Sequence, residues 1–322
     1  MTDGFARDIP TLAIVVPCYN EEEVIDHTSH VLKTKISHLI HEQLIRDDSY
    51  ILFVDDGSRD KTWEKIEQLH STDVQTFHGL KFAHNRGHQN AVYAGLMDSL
   101  DQRCDVAVSM DADLQDDPNA IDDMVREYLH GAEIVYGVRD NRETDTAFKR
   151  TTAEAFYNVM SWLGTDTIPN HADFRLMSAK AIQGLSEYRE SNLFLRGIVP
   201  DLGFKSAQVF YKRGIREAGE SKYPLSKMIS FAFEGITSFS VKPMKFIIGM
   251  GVTSVFVGLA ALLYTVTSVF SGHAVAGWGS MMVSLWILGG CILLSLGIVG
   301  EYIGKIYLEV KDRPRYIVEE RI

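Results

Sequence analysis

Cysteine is scarce. The 322-residue chain holds three, Cys18, Cys104 and Cys291, far apart and in no C-x-x-C spacing. That excludes a cysteine zinc site and a redox pair. Lone cysteines in or beside apolar stretches read as small buried hydrophobes in a reduced, cytosolic setting. Basic charge is also in deficit, with a formal net charge of −11, which argues against a nucleic-acid binder. No long apolar leader follows Asp3, Arg7 and Asp8, so a signal peptide is not expected. Internal repeats and low-complexity segments are absent. A composition of 46% hydrophobic and 23% charged residues supports a sizeable core rather than disorder.

The most consequential absence is local. Between Phe246 and Gly300 there is no Lys, Arg, Asp or Glu. That length accommodates two membrane spans of roughly 20 to 25 residues each. We expect them near Phe246–Phe270 and Met281–Tyr302, with Ser271–Ser280 as the turn. Lys242 and Lys245 precede the first span, and Lys305, Lys311, Arg313 and Arg315 follow the second, while the turn has no Lys or Arg. The positive-inside rule then places both ends in the cytoplasm. Just upstream, Met228, Ile229, Phe231, Phe233, Ile236 and Phe239 recur at near-helical spacing, and Pro243 ends the segment. This pattern predicts a helix lying on the membrane surface. The expected organisation is a cytoplasmic domain over 1–222, an amphipathic segment over 223–243, a two-helix membrane hairpin over 244–304 and a basic cytoplasmic tail over 305–322.

What is present upstream is an alternation of apolar strands and longer helical stretches. Strands are expected at Leu12–Val16, Tyr50–Val54, Gly79–Phe82, Val106–Met110 and Ile134–Gly137. Helices are expected at Glu22–Lys33, Lys61–His70, Asn90–Leu100, Pro118–His130 and Ala147–Leu163. The alternation predicts an α/β fold, a mostly parallel sheet covered by helices, whose ligands bind beyond the carboxyl ends of the strands. Polar stretches sit at those ends: P-C-Y-N-E-E-E, D-D-G-S-R-D, H-N-R-G-H-Q-N, D-A-D-L-Q-D-D-P and G-V-R-D-N-R. Five such stretches at one edge define a site.

Asp111 and Asp113 flank Ala112, so in extended chain their side chains point the same way, with Gln115 at the same parity. Two carboxylates and an amide oxygen are hard ligands suited to Mg2+ or Mn2+. Such a metal would neutralise a departing diphosphate as a Lewis acid. Asp116 and Asp117 are expected to serve the turn and the helix cap. Asp55 or Asp56 is placed to accept from a base N–H. Pro17, Tyr19, Asn20 and Glu21 offer a ring face and polar groups. Arg86, Arg139, Lys149 and Arg150 are cations suited to phosphate. His84 and His88 lack metal-ligand spacing and read as loop residues. Asp173 and Arg175, in H-A-D-F-R-L-M-S, place an acid where it could face an acceptor from the side opposite the metal.

As a set these motifs resemble the membrane-anchored enzymes of glycosyltransferase family 2. More narrowly they resemble the polyprenyl-phosphate branch, similar to bactoprenol glucosyltransferases and the dolichol-phosphate mannose synthase superfamily. The likeness continues through N-L-F-L-R-G (Asn192–Gly197), E-G-I-T-S-F-S (Glu234–Ser240), G-E-Y-I-G-K-I-Y (Gly300–Tyr307) and R-P-R-Y (Arg313–Tyr316). It implies a GT-A, Rossmann-like nucleotide-sugar domain, a divalent metal and an inverting single displacement. The implied reaction moves a hexose, glucose from UDP-glucose before other sugars, to undecaprenyl phosphate. UDP-GlcNAc, UDP-GalNAc, GDP-mannose or a modified arabinose would fit the same motifs. By the resemblance, the nucleotide sugar meets Pro17, Tyr19, Asn20, Glu21, Asp55, Asp56, Arg86, Gln89, Asp111 and Ala112. Asp111, Asp113 and Gln115 hold the metal, and Asp113 and Asp173 are catalytic, Asp173 as candidate base. Arg139, Lys149, Arg150 and Lys222 receive the lipid phosphate, and Glu220, Ser221 and Lys222 form a juxtamembrane loop. The resemblance also implies a homo-oligomer, a tetramer, at the cytoplasmic membrane. The Q-x-x-R-W motif of processive polysaccharide synthases is missing.

Overall fold

Leu12 to Val16 are apolar at successive positions, the pattern of a strand covered on both faces. Every residue of the resulting strand β1 (Leu12–Cys18) is buried. The same holds for β2 (Tyr50–Asp55) and β4 (Val106–Ser109), with β3 (Phe77–Phe82) and β5 (Ile134–Arg139) nearly as covered. Between them run α1 (Ile25–His41), α2 (Thr62–Thr72), α3 (His88–Asp101) and α4 (Ala120–Leu129). The computed structural model describes residues 7–139, 171–190, 194–212 and 277–322, with scattered positions between 247 and 270. The expected helix at 147–163, the surface helix at 225–239, and Lys149, Arg150, Glu220, Ser221 and Lys222 lie outside the described residues.

Downstream come β6 (His171–Ser178), α5 (Ala179–Ser186), α6 (Leu195–Asp201) and β7 (Ser206–Tyr211), then α7 (Trp278–Val310) and β8 (Val318–Arg321). Ser178 caps α5 by accepting from the Ala181 N–H at 3.1 Å. The sheet has eight strands in the order β7-β5-β6-β4-β1-β2-β3-β8. β4, β1, β2 and β3 are parallel. β6 enters between β4 and β5 and is antiparallel to both, with Arg175 opposite Ser109 on one side and Tyr136 on the other. Because it runs against its neighbours, its first residues reach the edge where β1, β2 and β4 end. The Ser109 hydroxyl donates to the Asp173 carbonyl at 2.6 Å. The expected α/β architecture is therefore present, with an inserted antiparallel strand that brings Asp173 to the polar edge.

The described residues fall into two units: those from 247 to 313 form one, and the rest, including Pro314–Ile322, form the other. In the smaller unit, α7 has 33 residues, about 50 Å at 1.5 Å per residue. Its stretch Ile287–Val310 is long and apolar enough to cross a membrane, and none of it is buried inside the protein. The helix runs eight residues past the expected end of the second span at Tyr302. Among the described residues this is the one helix of that kind.

Residues expected in a basic tail instead complete the sheet. β8 pairs antiparallel with β3, and Gly79 and Ile322 exchange two backbone hydrogen bonds of 2.9 Å. A Cβ on Gly79 would stand 2.9 Å from the Ile322 side chain, so glycine makes room for this strand. The basic Arg321 pairs with buried Asp98 on α3 at 2.5 Å, and Tyr316 stacks on Phe82 with centroids 4.9 Å apart. V-E-E-R looks like a solvated tail because an edge strand shows charge to water.

Candidate functional site

The loops after β1 and β2 hold each other. Asn20, at φ 55, donates its N–H to Ser58 Oγ at 2.9 Å and accepts from the Arg59 N–H at 2.9 Å. Asparagine tolerates this left-handed conformation. The Glu21 N–H donates to Thr62 Oγ1 at 2.8 Å. Tyr19 is exposed at the rim. Pro17 is buried within β1, so it presents no ring face to a ligand, which corrects the expectation from sequence.

Asp55 and Asp56 are both buried at the end of β2. Asp55 accepts from the Ser58 N–H at 3.2 Å. The two oxygens of Asp56 accept from the backbone N–H groups of Arg86 at 2.6 Å and Gly87 at 2.8 Å, stapling the β3–α3 loop to β2. Burial pushes both carboxyls up, opposed by these hydrogen bonds. The Arg86 side chain remains exposed. Gly57 follows with φ +67, and a Cβ there would lie 2.6 Å from the His84 carbonyl carbon. Gly57→Ala therefore combines a left-handed penalty of about 1–2 kcal/mol with displacement of the loop that Asp56 grips. The expected result is a lower melting temperature together with weaker nucleotide binding, measured by thermal denaturation and calorimetry. An unchanged melting temperature would refute the account of this turn.

After β4 the chain is pinned at Ala112, which is buried and whose carbonyl accepts from the Thr28 hydroxyl at 2.6 Å. Asp111 and Asp113 flank that point. Gln115 is buried and turns its side-chain N–H onto Asp113 Oδ2 at 2.8 Å, while its backbone N–H reaches Oδ1 at 3.2 Å. In this arrangement it braces Asp113, the neighbouring carboxylate expected to meet the metal. Asp117 accepts from the Asn119 N–H at 2.9 Å in the turn before α4, whose N-cap is Asn119 and has no side-chain capping bond, so the expected cap is a turn residue instead. Asp116 departs from the turn role. It is buried, and its Oδ1 accepts from Arg139 Nη2 at 2.8 Å, Arg139 Nε at 3.0 Å and the Tyr211 hydroxyl at 2.5 Å. Arg139, expected to meet a phosphate, thus neutralises a buried carboxylate.

Asp173 faces this loop from β6. Its carboxylate accepts from Arg175 Nη2 at 2.8 Å, and from Arg196 Nε at 3.1 Å and Nη2 at 3.0 Å. Burial alone would raise its pKa, but the two guanidiniums outweigh burial and hold the carboxyl well below the usual carboxylate range. A group so acidic is a poor proton acceptor at neutral pH, and its three hydrogen bonds make it a clamp on Arg175 and Arg196. His88, at the first turn of α3, stands between the two acids, its Nε2 3.5 Å from Asp111 and 3.7 Å from Asp173. Gln89, expected at the nucleotide sugar, accepts from the Leu195 N–H at 2.9 Å and ties α3 to α6. His88 and Arg196 are the residues that sequence reasoning missed. Their signals were the H in N-R-G-H-Q-N and the R in N-L-F-L-R-G.

Residues 13–199 match the glycosyl transferase family 2 description, more than half of the chain. The chain belongs to glycosyltransferase family 2. An uncharacterized glycosyltransferase, YkoT of Bacillus subtilis, is 53% identical over 310 residues, covering 96% of this chain and 91% of its own. The bactoprenol glucosyl transferase of Shigella phage SfX is 38% identical over 313 residues, covering 96% of this chain and 99% of its own. A prophage bactoprenol glucosyl transferase homolog of Escherichia coli is 36% identical over 311 residues, with 96% and 98% covered.

In this glycosyltransferase the recess is short of positive charge around Asp111. Desolvation pushes its carboxyl up, and Asp173, Asp116 and Asp113 push in the same direction against His88. Among the described residues no group of three or more His, Cys, Asp or Glu side chains forms a closed metal cage. An open pair of carboxylates does fit a hard cation that keeps waters and takes phosphate oxygens from a ligand. Asp111 and Asp113 would hold it, and it would supply electrostatic stabilisation of a leaving diphosphate.

Proposed function

We propose that the enzyme transfers a hexose, glucose from UDP-glucose, to undecaprenyl phosphate by an inverting single displacement with Mg2+ or Mn2+. The product is a β-linked polyprenyl-phosphate sugar for glycan modification outside the cell. The observation that carries this reading is the extent of the relationship. The 38% identity to a bactoprenol glucosyl transferase spans 96% of this chain, so it includes the apolar helix as well as the family 2 region. Asp111 and Asp113 bind metal and diphosphate, and Asp55 or Asp56, with Tyr19, Asn20 and Glu21, receives the nucleoside. Arg196 and Asp173 border the acceptor side, and Lys149, Arg150 and Lys222 receive the lipid phosphate. A two-span hairpin with both ends cytoplasmic holds a homotetramer at the cytoplasmic membrane.

The acceptor chemistry agrees with an acidic Asp173. A phosphate monoester has its second pKa near 6 and is largely a dianion at pH 7, so it attacks without a base. Confining the lipid phosphate to the headgroup plane supplies proximity. The test incubates the purified enzyme with undecaprenyl phosphate, Mn2+ and UDP-glucose, UDP-GlcNAc, UDP-GalNAc or GDP-mannose, and weighs the lipid product. Glucose transfer, abolished by EDTA and restored by Mn2+, is expected. Transfer from none of the panel would sink the proposal.

A further inference from the structure

The R-P-R-Y segment has no part in the chemistry above, yet Arg315 lies at a junction. Its guanidinium sits over the ring of Tyr93 on α3, 4.4 Å from the centroid. Its Nη2 donates to the carbonyls of Tyr188, at 2.5 Å, and Glu190, at 2.9 Å. The Tyr188 hydroxyl donates in turn to Asp201, the last residue of α6, at 2.9 Å. At the other end of α6, the Leu195 N–H is held by Gln89 of α3. The contacts close a ring that runs from Arg315 to Tyr93, along α3 to Gln89, across to Leu195, along α6 to Asp201, and through Tyr188 back to Arg315.

The two helices in that ring carry opposite halves of the recess. α3 presents His88 toward Asp111 and Asp173, and α6 presents Arg196 to Asp173. We propose that Arg315 is a positioning residue for the transfer reaction, locking α3 and α6 at the separation that lets His88 and Arg196 meet the same carboxylate. Arginine suits the place because one planar group stacks on an aromatic face and donates two in-plane hydrogen bonds, which an ammonium cannot do. The neighbouring Tyr316–Phe82 stack and the Ala83 N–H donating to the Ile317 carbonyl at 3.0 Å fix the same segment to β3. The proposal rests on the reading of the Asp111–Asp173 recess as the transfer site.

None of the ring's contacts named above is made by the loops at 19–22 and 55–60, so losing it should misplace the reacting side with little effect on nucleotide binding. Misplacement by about 1 Å costs on the order of 100-fold in rate. In full-length enzyme, Arg315→Gln and Tyr188→Phe are each expected to lower kcat by roughly 10- to 100-fold with KM for UDP-glucose nearly unchanged. The double variant should be little worse than the more damaged single one, since either substitution opens the same ring. Arg315→Lys should recover only a fraction of kcat. Tyr188→Phe removes one hydroxyl near the surface and keeps the test open if Arg315→Gln fails to fold. Normal kcat in Tyr188→Phe, or simple additivity in the double variant, would overturn the proposal. If the wild-type enzyme transfers no sugar, it is the function reading that fails, not the role of Arg315.

Discussion

Asp173→Asn is expected to destabilise the protein by about 3–5 kcal/mol, the effect of leaving a buried charge without its partner, and to abolish transfer. Arg175 is 1% exposed, with Nη2 on Asp173 and Nη1 donating to the Leu195 carbonyl at 3.2 Å. An amide in place of the carboxylate leaves that guanidinium uncompensated and releases Arg196. Thermal denaturation and single-turnover assays check both effects, and wild-type stability in Asp173→Asn would refute the clamp. The pH dependence has a definite sign. The folded pKa of Asp173 is depressed by Arg175 and Arg196, so the stability it contributes is fully present above its unfolded pKa of about 3.9. It is lost as pH falls through the still lower folded pKa. Between pH 5 and 9 this carboxyl does not titrate. Under the proposed acceptor chemistry, kcat is expected to fall as pH drops through about 6, where a phosphate monoester becomes a monoanion.

Asp111→Asn is expected to behave in the opposite way toward stability. Transfer falls by roughly 100- to 1,000-fold, the scale of losing one preorganised electrostatic contribution to the transition state. The metal-free protein is expected to be slightly more stable, because burial and the neighbouring acids Asp173, Asp116 and Asp113 disfavour the ionised carboxyl, an effect that solvent screens at a side chain 43% exposed. The sign follows from linkage: a carboxyl whose folded pKa is raised opposes folding above its unfolded pKa. Mn2+ with UDP should raise the melting temperature of the wild type and leave that of the variant unmoved. A variant that melts lower than wild type without metal would show that Asp111 is structural.

Much of this architecture can be read from the chain itself, where physical chemistry acts locally. Continuous apolar runs announce β1, β2 and β4, and polar stretches at their ends announce the edge at which Asp55, Asp56, Asp111 and Asp113 gather. What cannot be read is pairing. Nothing in H-A-D-F-R-L-M-S says that the strand inserts antiparallel between β4 and β5, yet that insertion sets Asp173 beside His88. Arg196 and His88 are far apart in sequence, and they meet at Asp173 across the tie between Gln89 of α3 and Leu195 of α6. Asp116 and Arg139 looked like surface groups because burial of a charge pair leaves no periodic trace. Gln115 kept the parity of a ligand but spends its amide on its neighbour.

The closing strand has a consequence for how the domain comes into being. β8 is synthesised only after the long apolar helix, so until then the outer edge of β3, with its backbone groups at Gly79 and Ala83, has no partner. An open edge of this kind invites pairing with other chains. The α/β domain is thus finished from both sides of an apolar interlude, and a fragment ending at Lys222 is not the same domain made soluble. It lacks a strand, an ion pair for Asp98 and the stack on Phe82. Joining Pro314–Ile322 to such a fragment through a flexible linker is the way to make the isolated domain whole.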